Sequence, residues 1–339
     1  MRAWVTASFD PAGLDRLRRH MDVVYEDWRR TGTIYFDANA LATRLLELGA
    51  NVLVVEADFV HEEVFDRCDL RLVGCCRGDP VNVALAKATQ VGVPVLFTPA
   101  RNADSVADLA VAYMLCLLRH VYTVNEALKS GRMRFENPRD YLEVYTRFGG
   151  RELGSCTVGI VGLGAIGQRV ARRVRAFGAR VLATDPYASD DVFEACEAER
   201  RDLRGLLREA DILTLHCPLT EATRRLLGRE ELRSMKPGSF LLNLARADIV
   251  EEEALYEALL NGPLAGAALD VFWVEPVQSD NRFVRLPNVL ASPHLGGATA
   301  DVVRRQTEMI VSGIESWLRG ERPRNLANPE VRFSVPPRN

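Results

Sequence analysis

One alternation runs along almost the whole chain. A short run of β-branched and other apolar residues is followed by a longer stretch in which apolar positions return every third or fourth residue. The runs at residues 3–6, 52–55, 72–75, 93–97, 157–161, 181–184, 212–215, 240–244, 266–271 and 289–291 are apolar at consecutive positions, which predicts strands covered on both faces. The stretches 14–20, 38–48, 83–89, 166–177, 203–209 and 251–260 carry the helical period. Strand and helix in turn predict the α/β class, with doubly wound parallel sheets wrapped by helices. No short repeat or low-complexity tract interrupts the pattern, and the tail from Arg322, rich in Pro, Arg and Asn, reads as partly extended. The segment 102–118 stands apart. Asn102 can cap it and Asp104 suits its first turn, but its later part, LAVAYMLCLL, is apolar on every side. Such a helix needs cover all round, at a domain junction or a subunit contact, so a boundary is expected near residue 100 and a homodimer with it.

Composition narrows the possibilities. A chain of 339 residues exceeds what one core supports, since single cores stop growing near ~250–300 residues. Lys and Arg number 43 against 46 Asp and Glu, so there is no electrostatic reason to expect nucleic acid or a membrane as partner. The start lacks the apolar core of a secretory signal, and the longest apolar run, 109–118, is half of a membrane span. Seven scattered cysteines match neither a disulfide frame nor a zinc site; they read as free thiols, no metal is expected, and the location expected is the cytoplasm.

The strongest local signal is TVGIVGLGAIGQRVARRVRAFGARVLATD. A strand runs into Gly162, Gly164 and Gly167 at G-x-G-x-x-G spacing, a helix follows, and a second strand ends at Asp185. Gly162 allows the tight turn, Gly164 lets backbone approach a pyrophosphate, and Gly167 lets helix and strand pack closely. The helix start, with Ala165 and Ile166, offers free N–H groups to phosphate. Asp185 can accept the adenosine ribose hydroxyls; a carboxylate there, followed by Pro186 rather than arginine, favours NAD over NADP.

With LHCPLT, NADSVADLAVAYML, MKPGSFLLNLARADIVEEEALYEAL, LAGAALDVFWVEP and LPNVLASPHLGGAT in this order, the chain resembles the D-2-hydroxyacid dehydrogenase family from about residue 50 to 320. The resemblance implies a Rossmann cofactor domain at 101–298 inserted into a flavodoxin-like substrate domain built from 1–100 and 299–339, with the active site in the cleft between them. It implies a catalytic set of Arg246, Glu275 and His294. The residues themselves allow that reading. Arg246, Glu275 and His294 each follow an apolar strand, and open α/β sheets bind ligands at that edge. His294 suits proton transfer to a ketone oxygen that is gaining charge; Glu275 can orient its ring and favour its charged form; Arg246 can hold a carboxylate in a fork. By resemblance Cys217, Pro218 and Thr220 line the adenosine side and Asp270 faces the nicotinamide carboxamide, with Leu244, Ala245 and Gly297 also along the cofactor. His216, at the same strand end, joins that set as a structural support.

Departures from the family pattern bear on substrate. Ala247 and Glu251 replace the usual Gly and Asp without removing a functional group. Where many members read VGxGYDN, this chain has VGCCRGDPVN, which brings Cys76, Arg77 and Gly78 to the expected substrate loop, with Arg101 after the next strand. The expected reaction is hydride exchange between NAD and a small D-2-hydroxy or 2-oxo acid bearing a second anionic group. Alternatives are a phosphite- or phosphonate-type substrate, or a non-catalytic NAD-sensing module resembling the corepressors built on this scaffold. The competing reading of Arg77 is that it pairs with Asp79 or another acid and only braces its loop.

Overall fold

The computed structural model describes residues 1–331, so the end of the Pro/Arg/Asn-rich tail lies outside the described residues. The chain divides into two compact units, Met1–Asn102 with the segment from Thr299 onward, and Ala103–Ala298.

The first unit holds a five-stranded sheet of β1 (Arg2–Val5), β2 (Asp22–Tyr25), β3 (Val52–Val55), β4 (Leu72–Cys75) and β5 (Val95–Leu96). All are parallel, in the order β2-β1-β3-β4-β5, with Trp4 beside Leu53 and Val54 beside Gly74. This is the flavodoxin-like order, whose reversal lies between β1 and β3. Strands β3 and β4 are buried at every position because helices cover both faces. One cover is the 19-residue helix Ala300–Leu318, whose Ile310, Val311, Ile314 and Trp317 pack on Val5, Val52, Leu72 and Leu96. Gly74 has no side chain, and a Cβ there would stand a tight 3.1 Å from Ile310 Cγ2. Sequence reading missed that helix and β2. β2 is a four-residue edge strand, largely half-buried, which carries no long apolar run.

The second unit holds a seven-stranded parallel sheet of β6 (Thr157–Val161), β7 (Arg180–Thr184), β8 (Glu199–Arg200), β9 (Ile212–Leu215), β10 (Ser239–Asn243), β11 (Leu264–Leu269) and β12 (Val289–Ala291). Their order is β12-β11-β10-β9-β6-β7-β8, so the winding reverses between β6 and β9. Helices Ala103–Leu118 and Ala165–Ala176 share the core on one face, and Glu252–Asn261 packs on the other. The helix Ala103–Leu118 is not covered all round. Ala107, Ala110, Met114 and Leu118 are buried, whereas Leu109, Leu115, Cys116 and Leu117 are half-buried and Ala112 is exposed. No single helix among the described residues is long and apolar enough to cross a membrane.

Candidate active site

In the second unit every candidate residue follows the carboxyl end of a strand. The glycine turn follows β6, Asp185 follows β7, His216 and Cys217 follow β9, Arg246 follows β10, Asp270 follows β11 and His294 follows β12. The turn after β6 is glycine for steric reasons. Gly162 has φ +92°, and a Cβ there would stand 2.7 Å from the Cys217 nitrogen; one on Gly167 would stand 2.1 Å from the Gly162 oxygen. Gly164 has open space around it and begins the helix Ala165–Ala176, which no side chain caps. An uncapped helix start with bare backbone before it suits a pyrophosphate. Asp185 ties this turn to its own strand end: Oδ2 accepts from Leu163 N at 2.7 Å and Oδ1 from Tyr187 N at 2.8 Å. These residues fit a dinucleotide. Arg200, on β8, donates to the Asp185 carbonyl at 3.4 Å, a neighbour that sequence order hides.

His216 lies half-buried beneath the turn. Its Nε2 meets Thr214 Oγ1 at 2.9 Å, its Nδ1 is shielded from solvent without a partner among the described residues, and burial pushes its pKa down to about 3. The ring is therefore neutral, and its backbone, with that of Cys217, backs the glycine turn. Burial also pushes the Cys217 thiol up, so it is a packing group rather than a nucleophile. Pro186, Pro218 and Thr220 are exposed at the same edge, beside half-buried Cys217.

At the other side of the sheet, His294 Nδ1 lies 3.0 Å from Glu275 Oε2, and Glu275 Oε1 accepts from Phe272 N at 3.1 Å. Half of the His294 side chain is open to solvent. His294 has φ +61°, a left-handed conformation that is costly for a side chain of its size. Arg246 is exposed in extended backbone, and its turn is braced by Asn243, whose Nδ2 donates to Arg246 O at 2.9 Å and whose Oδ1 accepts from Ala245 N at 3.1 Å. Leu244 is buried beneath that turn and Ala245 half-buried. Asn243 was not singled out in the sequence; its only signal is a polar residue ending an apolar strand. Asp270 is 1% exposed. Its Oδ1 accepts from Leu295 N at 2.7 Å and its Oδ2 from Gly296 N at 2.8 Å, so it grips the turn that carries His294; Gly297, next in the chain, is half-buried.

The first unit gathers its own polar residues at the carboxyl edge of its sheet. Glu56, just past β3, is almost fully buried. Its Oε1 accepts from Arg29 Nη2 and Arg101 Nη1, each at 3.2 Å, and its Oε2 from Trp28 Nε1 at 3.2 Å. Arg101 is thus ion-paired, and it also bonds Gln306. Arg77 is not: its Nε donates to the Glu56 carbonyl at 2.8 Å, and it pairs with no acid among the described residues, Asp79 included. Cys76 departs from expectation. Its thiol is wholly buried in the core and pushed well up by that burial, and its N–H donates to Val55 O at 2.7 Å. Neither group is available to a substrate, since the side chain of a residue extending an inner strand points into the sheet's packing. Gly78 is exposed, and a Cβ there would stand 3.8 Å from the Thr98 carbonyl oxygen. Glu56 and Arg29 were both missed, because a lone acid after VLVV and an arginine between tryptophan and arginine show no spacing.

Known proteins resemble this chain in sequence and fold. The family described as D-isomer specific 2-hydroxyacid dehydrogenase, NAD binding domain, matches residues 111–296. The Bacillus subtilis protein YoaD is 37% identical over 329 residues, covering 96% of this chain and 93% of its own length. A glyoxylate reductase of Korarchaeum cryptofilum is 33% identical over 340 residues, covering 99% and 98%. Among solved structures, the TT0316 protein of Thermus thermophilus superposes with a TM-score of 0.81 at 35% identity, covering 96% of this chain and 100% of that one. The chain belongs to the D-isomer specific 2-hydroxyacid dehydrogenase family and is an NAD-dependent oxidoreductase.

Proposed function

We propose that the chain reduces a small 2-oxo acid to the D-2-hydroxy acid, and runs the reverse reaction, with Arg246, Glu275 and His294 as its catalytic set. The observation that carries this reading is the 3.0 Å contact of His294 Nδ1 with Glu275, which orients the ring and leaves Nε2 on the half-open side. Bound NADH supplies the hydride. As the carbonyl oxygen gains charge, His294 delivers a proton to it, and Glu275 stabilises the imidazolium before transfer. Arg246 has no acid partner among the described residues, and its planar cation matches a carboxylate. Gly162, Gly164, Ala165, Ile166 and Gly167 hold the cofactor's phosphates, Asp185 its adenosine ribose, and Asp270 its carboxamide through the second lone pair of Oδ2.

The substrate carries a second anionic group, recognised by Arg77 with Arg29 and Arg101. Arg29 and Arg101 share the Glu56 carboxylate, while Arg77 donates only to the Glu56 carbonyl and has no acid partner among the described residues, so Arg77 keeps its positive charge. The protein works as a homodimer in the cytoplasm. Seven free thiols suit a reducing compartment, and the uncovered side of helix Ala103–Leu118 suits a second copy.

NADH oxidation measured against monoanionic and dianionic 2-oxo acids, with phosphonates and phosphite in the same panel, tests the reading. A dianionic 2-oxo acid should lead. His294→Ala and Arg246→Ala should each lower kcat/KM by at least ~10²-fold, the scale of losing one preorganised charge stabiliser, with NADH affinity retained. Turnover of phosphite alone, or normal turnover by His294→Ala, rejects it.

A further inference from the structure

The turn bearing His294 is held in a conformation it would not choose. A non-glycine residue at φ +61° relaxes unless its neighbours are tied down. Here the next two amides, Leu295 and Gly296, both donate to Asp270. A buried carboxylate can serve as such an anchor only if it is itself fixed, because a carboxylate that rotates about its side-chain torsions carries the turn with it. Asp270 is fixed by hydroxyl groups. Ser292 Oγ donates to Asp270 Oδ1 at 2.5 Å, and the Tyr113 hydroxyl donates to Ser292 Oγ. Tyr113 comes from helix Ala103–Leu118 and is 7% exposed, and Ser292 is 6% exposed. Burial holds the Tyr113 phenol above its usual range, so it remains a donor. The same helix presses Val106 against Gly296, where a Cβ would stand 3.1 Å from Val106 Cγ2 and 3.0 Å from Asp270 Oδ2.

We propose that Tyr113 and Ser292 are positioning residues for His294, acting through Asp270. The two hydroxyls orient the carboxylate, the carboxylate pins the amides of Leu295 and Gly296, and the pinned turn sets the His294 ring on Glu275. The idea rests on His294 being the acid–base group. Nothing in this chain of contacts touches the 2-oxo acid, so its loss lowers kcat rather than the binding of that acid.

The test uses the NADH-bound enzyme and three variants. Ser292→Ala removes the bond to Asp270, Tyr113→Phe removes only the outer hydroxyl, and Ser292→Thr keeps a hydroxyl in place. Steady-state kinetics gives kcat and KM, and proton NMR follows the downfield resonance of the His294 Nδ1 proton shared with Glu275, assigned by its absence in His294→Ala. Ser292→Ala should lose roughly tenfold in kcat, as for one buried hydrogen bond, with the KM for the 2-oxo acid unchanged and the resonance broadened. Tyr113→Phe should show a smaller loss in the same direction, and Ser292→Thr should restore both readouts. If Ser292→Ala fails to fold, Tyr113→Phe decides, since it removes one oxygen and no bulk. Wild-type kcat with a sharp resonance in Tyr113→Phe and Ser292→Ala, while His294→Ala is inactive, overturns the inference and leaves the assignment of His294 standing. An active His294→Ala overturns both.

Discussion

Asp185 has three backbone amides on its carboxylate, from Leu163, Tyr187 and Ala188, before any cofactor arrives. It anchors the glycine turn, and in the ribose-acceptor role proposed for it its charge would repel a 2′-phosphate. Arg200 lies beside it, engaged with Asp190 Oδ1 at 2.7 Å and stacked on Phe193. Asp185→Ser should therefore raise kcat/KM for NADPH relative to NADH by about tenfold or more, on the scale of one charge-assisted bond. An unchanged ratio would show that Asp185 does not discriminate between the cofactors. His216 gives a second prediction at this scale. Folded, it takes up a proton only near pH 3; unfolded, near its ordinary 6.5. Between those values the unfolded chain binds more protons, so stability declines as pH falls, by up to about 1.4 kcal/mol per pH unit. Melting temperatures at about pH 7.5 and about pH 5 should differ more in wild type than in His216→Gln. Equal differences would mean that the buried ring does not govern acid sensitivity.

Among the elements, helix Ala103–Leu118 has the most to explain. Its inner side packs on the sheet and supplies Val106 and Tyr113 to the His294 turn, while Leu109, Leu115 and Leu117 are only part covered. The helices that follow, Val121–Lys129 and Asp140–Arg147, expose Val121, Tyr122, Leu128, Tyr141, Leu142 and Tyr145, the last at 78%. Apolar side chains gathered in this way on one stretch of chain suit the association surface of the proposed homodimer. Sedimentation at micromolar concentration should show a dimer, and Leu142→Glu with Tyr145→Glu should yield a folded monomer. A wild-type monomer at that concentration would contradict the assignment. The apolar character of this helix was legible in the sequence, but which side would remain open was not. That depends on the sheet and on helix Ala165–Ala176, whose contacts lie some way along the chain.

For the whole molecule, the proposed preference for a second anionic group turns on how the arginines of the first unit divide their charge. Arg101 is neutralised by Glu56, whereas Arg77 donates only to a carbonyl and keeps its charge. Arg77→Ala should cost a dianionic 2-oxo acid roughly tenfold more kcat/KM than a monoanionic one, the scale of one charge-assisted bond. Equal losses would make Arg77 a loop brace. What the sequence by itself determined is the local part of this protein. Apolar runs of strand length had to be buried, their alternation with helical stretches required parallel sheets, and the Gly162-x-Gly164-x-x-Gly167 spacing with an acid at the next strand end required a dinucleotide turn. Backbone sterics and side-chain period act within a few residues, so they leave a readable trace. Only the tertiary structure decided that β2 closes one sheet edge, that helix 300–318 returns to the N-terminal sheet, that Glu56 collects Arg29, Arg101 and Gln306, and that Tyr113 reaches Asp270 through Ser292. Those contacts join residues tens to hundreds of positions apart. Their partners are selected by which buried polar groups must satisfy one another once the sheets have packed, and no period along the chain records that requirement.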